Sequence, residues 1–164
     1  MLDQIVRNGE GLATVIETAQ DQIYQEPSLH PALGLDYGKA RIGVAATDDF
    51  GIMAHPVVTL EVGDKCMDRI MEIAALRKVR TLVVGLPLRL DGSEGDSAKL
   101  ARGFGKKLAK CLPELALVFV DETYTTMDAA EKLREAGRSA RKQKSVIDQA
   151  AAVEILNRWM KENL

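Results

Sequence analysis

Asp36 closes the apolar run Ala32-Leu33-Gly34-Leu35, and Gly38 follows two positions later, before a second run opens at Arg41-Ile42-Gly43-Val44. An ionised carboxylate among apolar neighbours is costly unless hydrogen bonds or a cation compensate it, so Asp36 is a candidate ligand for a hard divalent metal. Gly38 removes a side chain where the chain turns or where a phosphate approaches the backbone. The same Asp-x-Gly spacing serves metal-dependent nucleases, phosphate-binding ATPases and plain hairpins, so other acids must discriminate. Asp121 and Glu122 follow the apolar run Leu115 to Val120. Neighbours on a strand face opposite ways, so one of the two shares a side with Asp36; Glu122 is favoured and Asp121 is the reserve. In the last helical pattern Asp148 groups with Ala152, Ile155 and Trp159, away from Glu154, Asn157, Arg158 and Lys161. Taken alone, Asp148 also reads as a first-turn acid favoured by the helix dipole. Three such acids suit Mg²⁺ or Mn²⁺, which take oxygen ligands and substrate phosphates. Two ions about 3.5–4 Å apart would activate water on one side of a phosphodiester and stabilise the leaving oxygen on the other. His30 and His55 read as structural, which leaves no zinc set.

Phosphate contacts need cations and free backbone donors. The stretch Gly85 to Ser97 joins a strand to a helix N-terminus, where an anion is favoured, and Arg89 lies within it. No Gly-Lys-Ser/Thr follows, so nucleotide hydrolysis is unsupported. The net charge of -2 hides an uneven distribution. Residues 1–29 hold Asp3, Glu10, Glu17, Asp21 and Glu26 against Arg7, whereas residues 131–144 set Lys132, Arg134, Arg138, Arg141, Lys142 and Lys144 against Glu131 and Glu135. The second segment is either a local basic patch or a solvated helix end, and the acidic leader reads as a screen for it.

These residues must be positioned by a small α/β domain. With 164 residues, 46% hydrophobic and 28% charged, the chain fits one globular domain, residues 30–164, behind an acidic helical extension, residues 1–29. No apolar run approaches the roughly 20 residues of a membrane span and no signal peptide is evident, so a cytoplasmic location and no membrane partner are expected. Cys66 and Cys111 lack a C-x-x-C spacing and read as reduced core residues. Periodicity predicts helix over 12–26, strands over 32–36, 41–48 and 51–60, and helix over 64–79. It continues with a buried, parallel, central strand over 81–85, helix over 96–111, strand over 115–120, helix over 125–136 and a final helix over 144–161. The order β-β-β-α-β-α-β-α-α is an antiparallel meander extended by two βα units into a mixed five-stranded sheet with helices on its faces.

Four ordered motifs then resemble the YqgF (RuvX) family of RNase H-like Holliday junction resolvases and pre-ribosomal RNA nucleases. They are Leu33-Gly34-Leu35-Asp36-Tyr37-Gly38 with Arg41-Ile42-Gly43-Val44-Ala45; Val84-Gly85-Leu86-Pro87 with Asp91-Gly92-Ser93-Glu94; Val120-Asp121-Glu122 with Thr125-Thr126; and Arg141-Lys142 with Asp148-Gln149-Ala150-Ala151. The resemblance implies an RNase H-like fold, a divalent-metal site of Asp36, Glu122 and Asp148, and a nuclease for a ribosomal RNA precursor or for branched DNA. Lys39, Arg41, Arg89, Arg138, Arg141 and Lys142 are then the expected phosphate contacts. Thr123 departs from the family, which usually has Arg after the Glu, and this keeps a weakly active or inactive nucleic-acid-binding accessory in play. An actin-like ATPase would need two such domains. A four-way junction substrate favours a homodimer, whereas a single RNA end does not.

Overall fold

A computed structural model describes residues 28–122 and 140–163, without the side chains of Ala140 and Arg141. The predicted helices over 12–26 and 125–136, Thr123 and Arg138 lie outside these residues. Strands β1 (Ala32–Tyr37), β2 (Arg41–Thr47) and β3 (Ala54–Glu61) form the meander. Helix α1 (Cys66–Leu76), β4 (Thr81–Leu86), α2 (Asp96–Cys111), β5 (Ala116–Asp121) and α3 (Ala140–Glu162) follow. The sheet order is β3-β2-β1-β4-β5. β1 and β3 run antiparallel to β2, while β4 runs parallel to both β1 and β5. This is the expected five-stranded mixed sheet with helices on its faces, although β1, not β4, occupies its middle.

Strand alternation divides the interior. Leu33, Leu35, Leu82 and Val84 face α1 and α2, where Phe104 and Leu108 fill one core. Ala32, Ala45, Val83 and Val120 face Ala152, Ile155, Leu156 and Trp159 of α3 in the other. Asp36, two residues beyond Gly34, therefore falls on the α3 face. The parallel strands β1, β4 and β5 all finish at the same end of the sheet, the usual ligand-binding end of an open α/β sheet. Among the described residues, no helix is long and apolar enough to cross a membrane.

Several boundaries depart from the periodicity. β3 begins at Ala54 because Asp48 organises the preceding turn, accepting N–H bonds from Phe50 (3.0 Å), Ile52 (2.9 Å) and Met53 (2.9 Å). α3 begins at Ala140 and so includes Lys142, ahead of the start at residue 144 that its periodicity predicts. Cys66 is half-buried and packs against the core, whereas Cys111 is exposed, which corrects its assignment to the core; both are free. An apolar helical pattern specifies a face, but a small side chain at its border can end up outside.

The Asp48 turn gives a direct test. The backbone N–H bonds, that of Ile52 foremost, hold its carboxyl below the usual range. The stabilisation is therefore present at neutral pH and lost as pH falls through that lowered value. Asp48→Ala is expected to lower the melting temperature at pH 7 and to converge with the wild type in acid; a constant difference across pH would refute the assignment.

Candidate metal and nucleic-acid site

β1 delivers Asp36 to the α3 face, opposite Gly43 of β2 in the antiparallel register. Val120 of β5 faces α3, and Glu122, two residues on, continues the alternation to the same side, with its N–H donating to Leu86 O at 3.1 Å. Glu122 is buried, whereas Asp121 is exposed and its carbonyl accepts from Arg158. The side shared with Asp36 thus belongs to Glu122. Asp36 and Glu122 share a side-chain hydrogen bond.

Two glycines make this convergence sterically feasible. A Cβ at position 43 would overlap the backbone carbonyl of Asp148, so glycine lets α3 settle onto β2. A Cβ at position 85 would overlap Glu122 Oε1 and come within 2.5 Å of Ile155 Cδ1, so glycine there makes room for the carboxylate. Sequence reasoning weighed only Gly38 in this role. A glycine inside a β-branched strand pattern is itself a signal of close approach, and it could have singled out both positions.

Asp148 is the ninth residue of α3, which removes the first-turn explanation of its charge. It lies at 20% side-chain exposure, and Arg41 Nε donates to its Oδ2 at 2.6 Å. The surrounding helix is pinned to β3, where Thr59 Oγ1 donates to Ser145 O at 2.8 Å and Gln149 Nε2 donates to Thr59 Oγ1 at 3.2 Å.

Burial dominates the electrostatics of the pair. It raises Asp36 to about 6, against the lowering effect of the Glu122 hydrogen bond and with a further push from the Asp148 charge. It raises Glu122 to about 9, helped by the charge and hydrogen bond of Asp36 and by the charge of Asp121. At pH 7 Glu122 therefore keeps its proton and donates it to Asp36. Two desolvated acids that must share a proton are relieved by a divalent cation, and an all-oxygen donor set suits Mg²⁺ or Mn²⁺. Among the described residues, no three His, Cys, Asp or Glu side chains are gathered closely enough to hold one ion. Asp36 and Glu122 meet, while Asp148 is directed to Arg41.

The expected phosphate contacts surround the same end. Lys39 is exposed in the β1–β2 turn, Arg41 opens β2, and Lys142 is exposed in the first turns of α3. Arg89 is exposed after β4, with its guanidinium packed over Gly95 at the start of α2. The side chain of Arg141 and all of Arg138 lie outside the description. Neither histidine joins the acids: the His30 ring hydrogen-bonds Thr47 Oγ1 at 3.1 Å, and the His55 ring pairs with Arg77 at 3.1 Å.

The RuvX family model, described as "Holliday junction resolvase", matches residues 30–162. A Cutibacterium acnes protein named "Putative pre-16S rRNA nuclease" is 45% identical over 130 residues, covering 79% of this chain and 81% of that one. A Synechococcus protein of the same name is 42% identical over 135 residues, covering 81% and 90%. Among solved structures, T. thermophilus RuvC in complex with a Holliday junction substrate aligns with a TM-score of 0.48 and 12% identity, covering 80% of this chain and 94% of that one. With a family model spanning residues 30–162 and relatives above 40% identity across most of both chains, this protein belongs to the RuvX family.

Proposed function

We propose that this chain is a Mg²⁺- or Mn²⁺-dependent endonuclease for structured nucleic acid, processing the 5′ end of a pre-16S ribosomal RNA. The observation that carries the reading is the pair of half-buried Asp36 and buried Glu122, at the end of the parallel strands, with Asp148 close enough for its charge to act on Asp36. The names of the relatives supply the substrate class.

Asp36, Glu122 and Asp148 would hold the cation. When bound, the cation supplies an activated water and charge neutralisation at the leaving oxygen. The protein supplies the rest. Its carboxylates orient, Gly85 and Ile155 close the back of the site, and Lys39, Arg41, Arg89 and Lys142 bind backbone phosphates on either side. Phosphate contacts of this kind make affinity fall with salt and leave sequence choice to other features.

Purified protein should cut a pre-16S RNA fragment in Mg²⁺ or Mn²⁺ and stop when the cation is chelated. A four-way DNA junction in parallel tests the second reading, which the family description favours. Cleavage of the junction alone would move the substrate to branched DNA, and cleavage of neither would leave a binding accessory.

A further inference from the structure

Asp148 is the one acid of the proposed set that is engaged elsewhere. Arg41 holds it through a 2.6 Å charge-assisted bond, the strong kind in a partly desolvated setting. The backbone around Asp148 has little freedom, being pinned to β3 through Thr59 and seated over Gly43. The side chain alone can redirect the carboxylate. The Arg41 side chain as a whole keeps 37% exposure. Arg41 lines a cavity of about 220 Å³ with Thr59, Glu61, Lys144 and Ser145, where two cations outnumber one carboxylate.

We propose that Arg41 withholds Asp148 from the Asp36–Glu122 pair in the free protein and releases it when a nucleic-acid phosphate seated between Arg41 and Lys144 takes over the guanidinium. This rests on the metal-site reading above. It makes Arg41 a positioning residue that couples completion of the cation site to arrival of substrate, and coupling of this kind acts on both ligands. It accounts for a site in which two acids meet and the third stands aside.

The test is calorimetric titration of nucleic-acid-free protein with Mn²⁺. Arg41→Gln should tighten Mn²⁺ binding about tenfold, because Asp148 loses its competing partner. Lys39→Gln removes an equal charge from the adjacent turn without touching Asp148, and should change affinity less than about twofold, as screening of an exposed charge implies. In the double variant Arg41→Gln with Asp148→Asn the gain should vanish. If the glutamine variant does not fold, as judged by circular dichroism, Arg41→Lys keeps the charge, loses the Nε contact and should tighten binding in the same direction. Equal gains for the position 39 and 41 variants, or no gain at position 41 while Asp36→Asn abolishes Mn²⁺ binding, overturns the inference and leaves the metal site standing. Mn²⁺ binding that survives Asp36→Asn unchanged overturns the metal site and the inference together.

Discussion

Glu122→Gln is expected to make the protein more stable at pH 8 while reducing cleavage by about a hundredfold or more, since a cation ligand is worth several kcal/mol in the transition state. The sign follows from the raised proton affinities. Both acids bind protons more tightly in the folded protein than in the unfolded chain, Asp36 releasing at about 6 and Glu122 at about 9. Their contribution to stability is fully present below the ordinary carboxylate range and is lost as pH rises through those folded values. Glutamine keeps a hydrogen-bond donor toward Asp36 and never ionises. The variant should match the wild type near pH 4 and exceed it at pH 8 by ~2 kcal/mol, a fraction of the full shift because two neighbouring acids titrate together. Thermal unfolding followed from pH 4 to pH 9 checks this. Parallel curves for the two proteins would show that the pair carries no burial strain.

Saturating Mg²⁺ should stabilise the wild type more at pH 8 than at pH 5 and have little effect on the glutamine variant, because ligand binding to the folded state adds stability in proportion to site occupancy. A gain in stability coupled to a loss of activity separates these acids from structural ones, whose removal lowers both.

Gly43→Ala carries the largest expected loss of stability. Its Cβ would meet the Asp148 carbonyl, which is backbone and cannot rotate aside, so α3 must lift from β2. Overpacking of this kind costs about 3 kcal/mol or more. Urea unfolding should show a lower midpoint, with cleavage falling as Asp148 and Glu122 separate. Gly103→Ala is the matched control. It lies exposed in the middle of α2, and a Cβ there meets nothing within 4 Å. It should stabilise by up to ~1 kcal/mol through helix propensity. If both alanines shift the midpoint alike, close approach of α3 to β2 is not what Gly43 provides.

Much of this arrangement was legible in the chain before it was folded. Alternation and helical periodicity are local properties, and they placed all five strands and both α1 and α2 within a few residues of their observed ends. The four spaced motifs then pointed to the family, which the match over residues 30–162 bears out. The acids Asp36, Glu122 and Asp148 were recognisable because each stands where an apolar pattern is interrupted by a charge. Boundaries failed where a side chain organised a turn, as Asp48 does, or where polar residues joined a helix whose apolar pattern begins later, as at Lys142.

The tertiary structure decided what depends on contacts between distant segments. Glu122 rather than Asp121 faces Asp36 because β5 pairs in one register with β4, and a slip of one residue would exchange them. Arg41 and Asp148 are separated by more than one hundred positions, so neither residue type nor spacing could reveal that they bind each other. Nor could the sequence show that Gly43 and Gly85 are spaces reserved for a helix carbonyl and a carboxylate, because an absent side chain has meaning only once the neighbour that fills its place is known. The sequence by itself determined the candidate acids, the strands and the family. Packing determined which two acids share a proton and which third one an arginine holds apart.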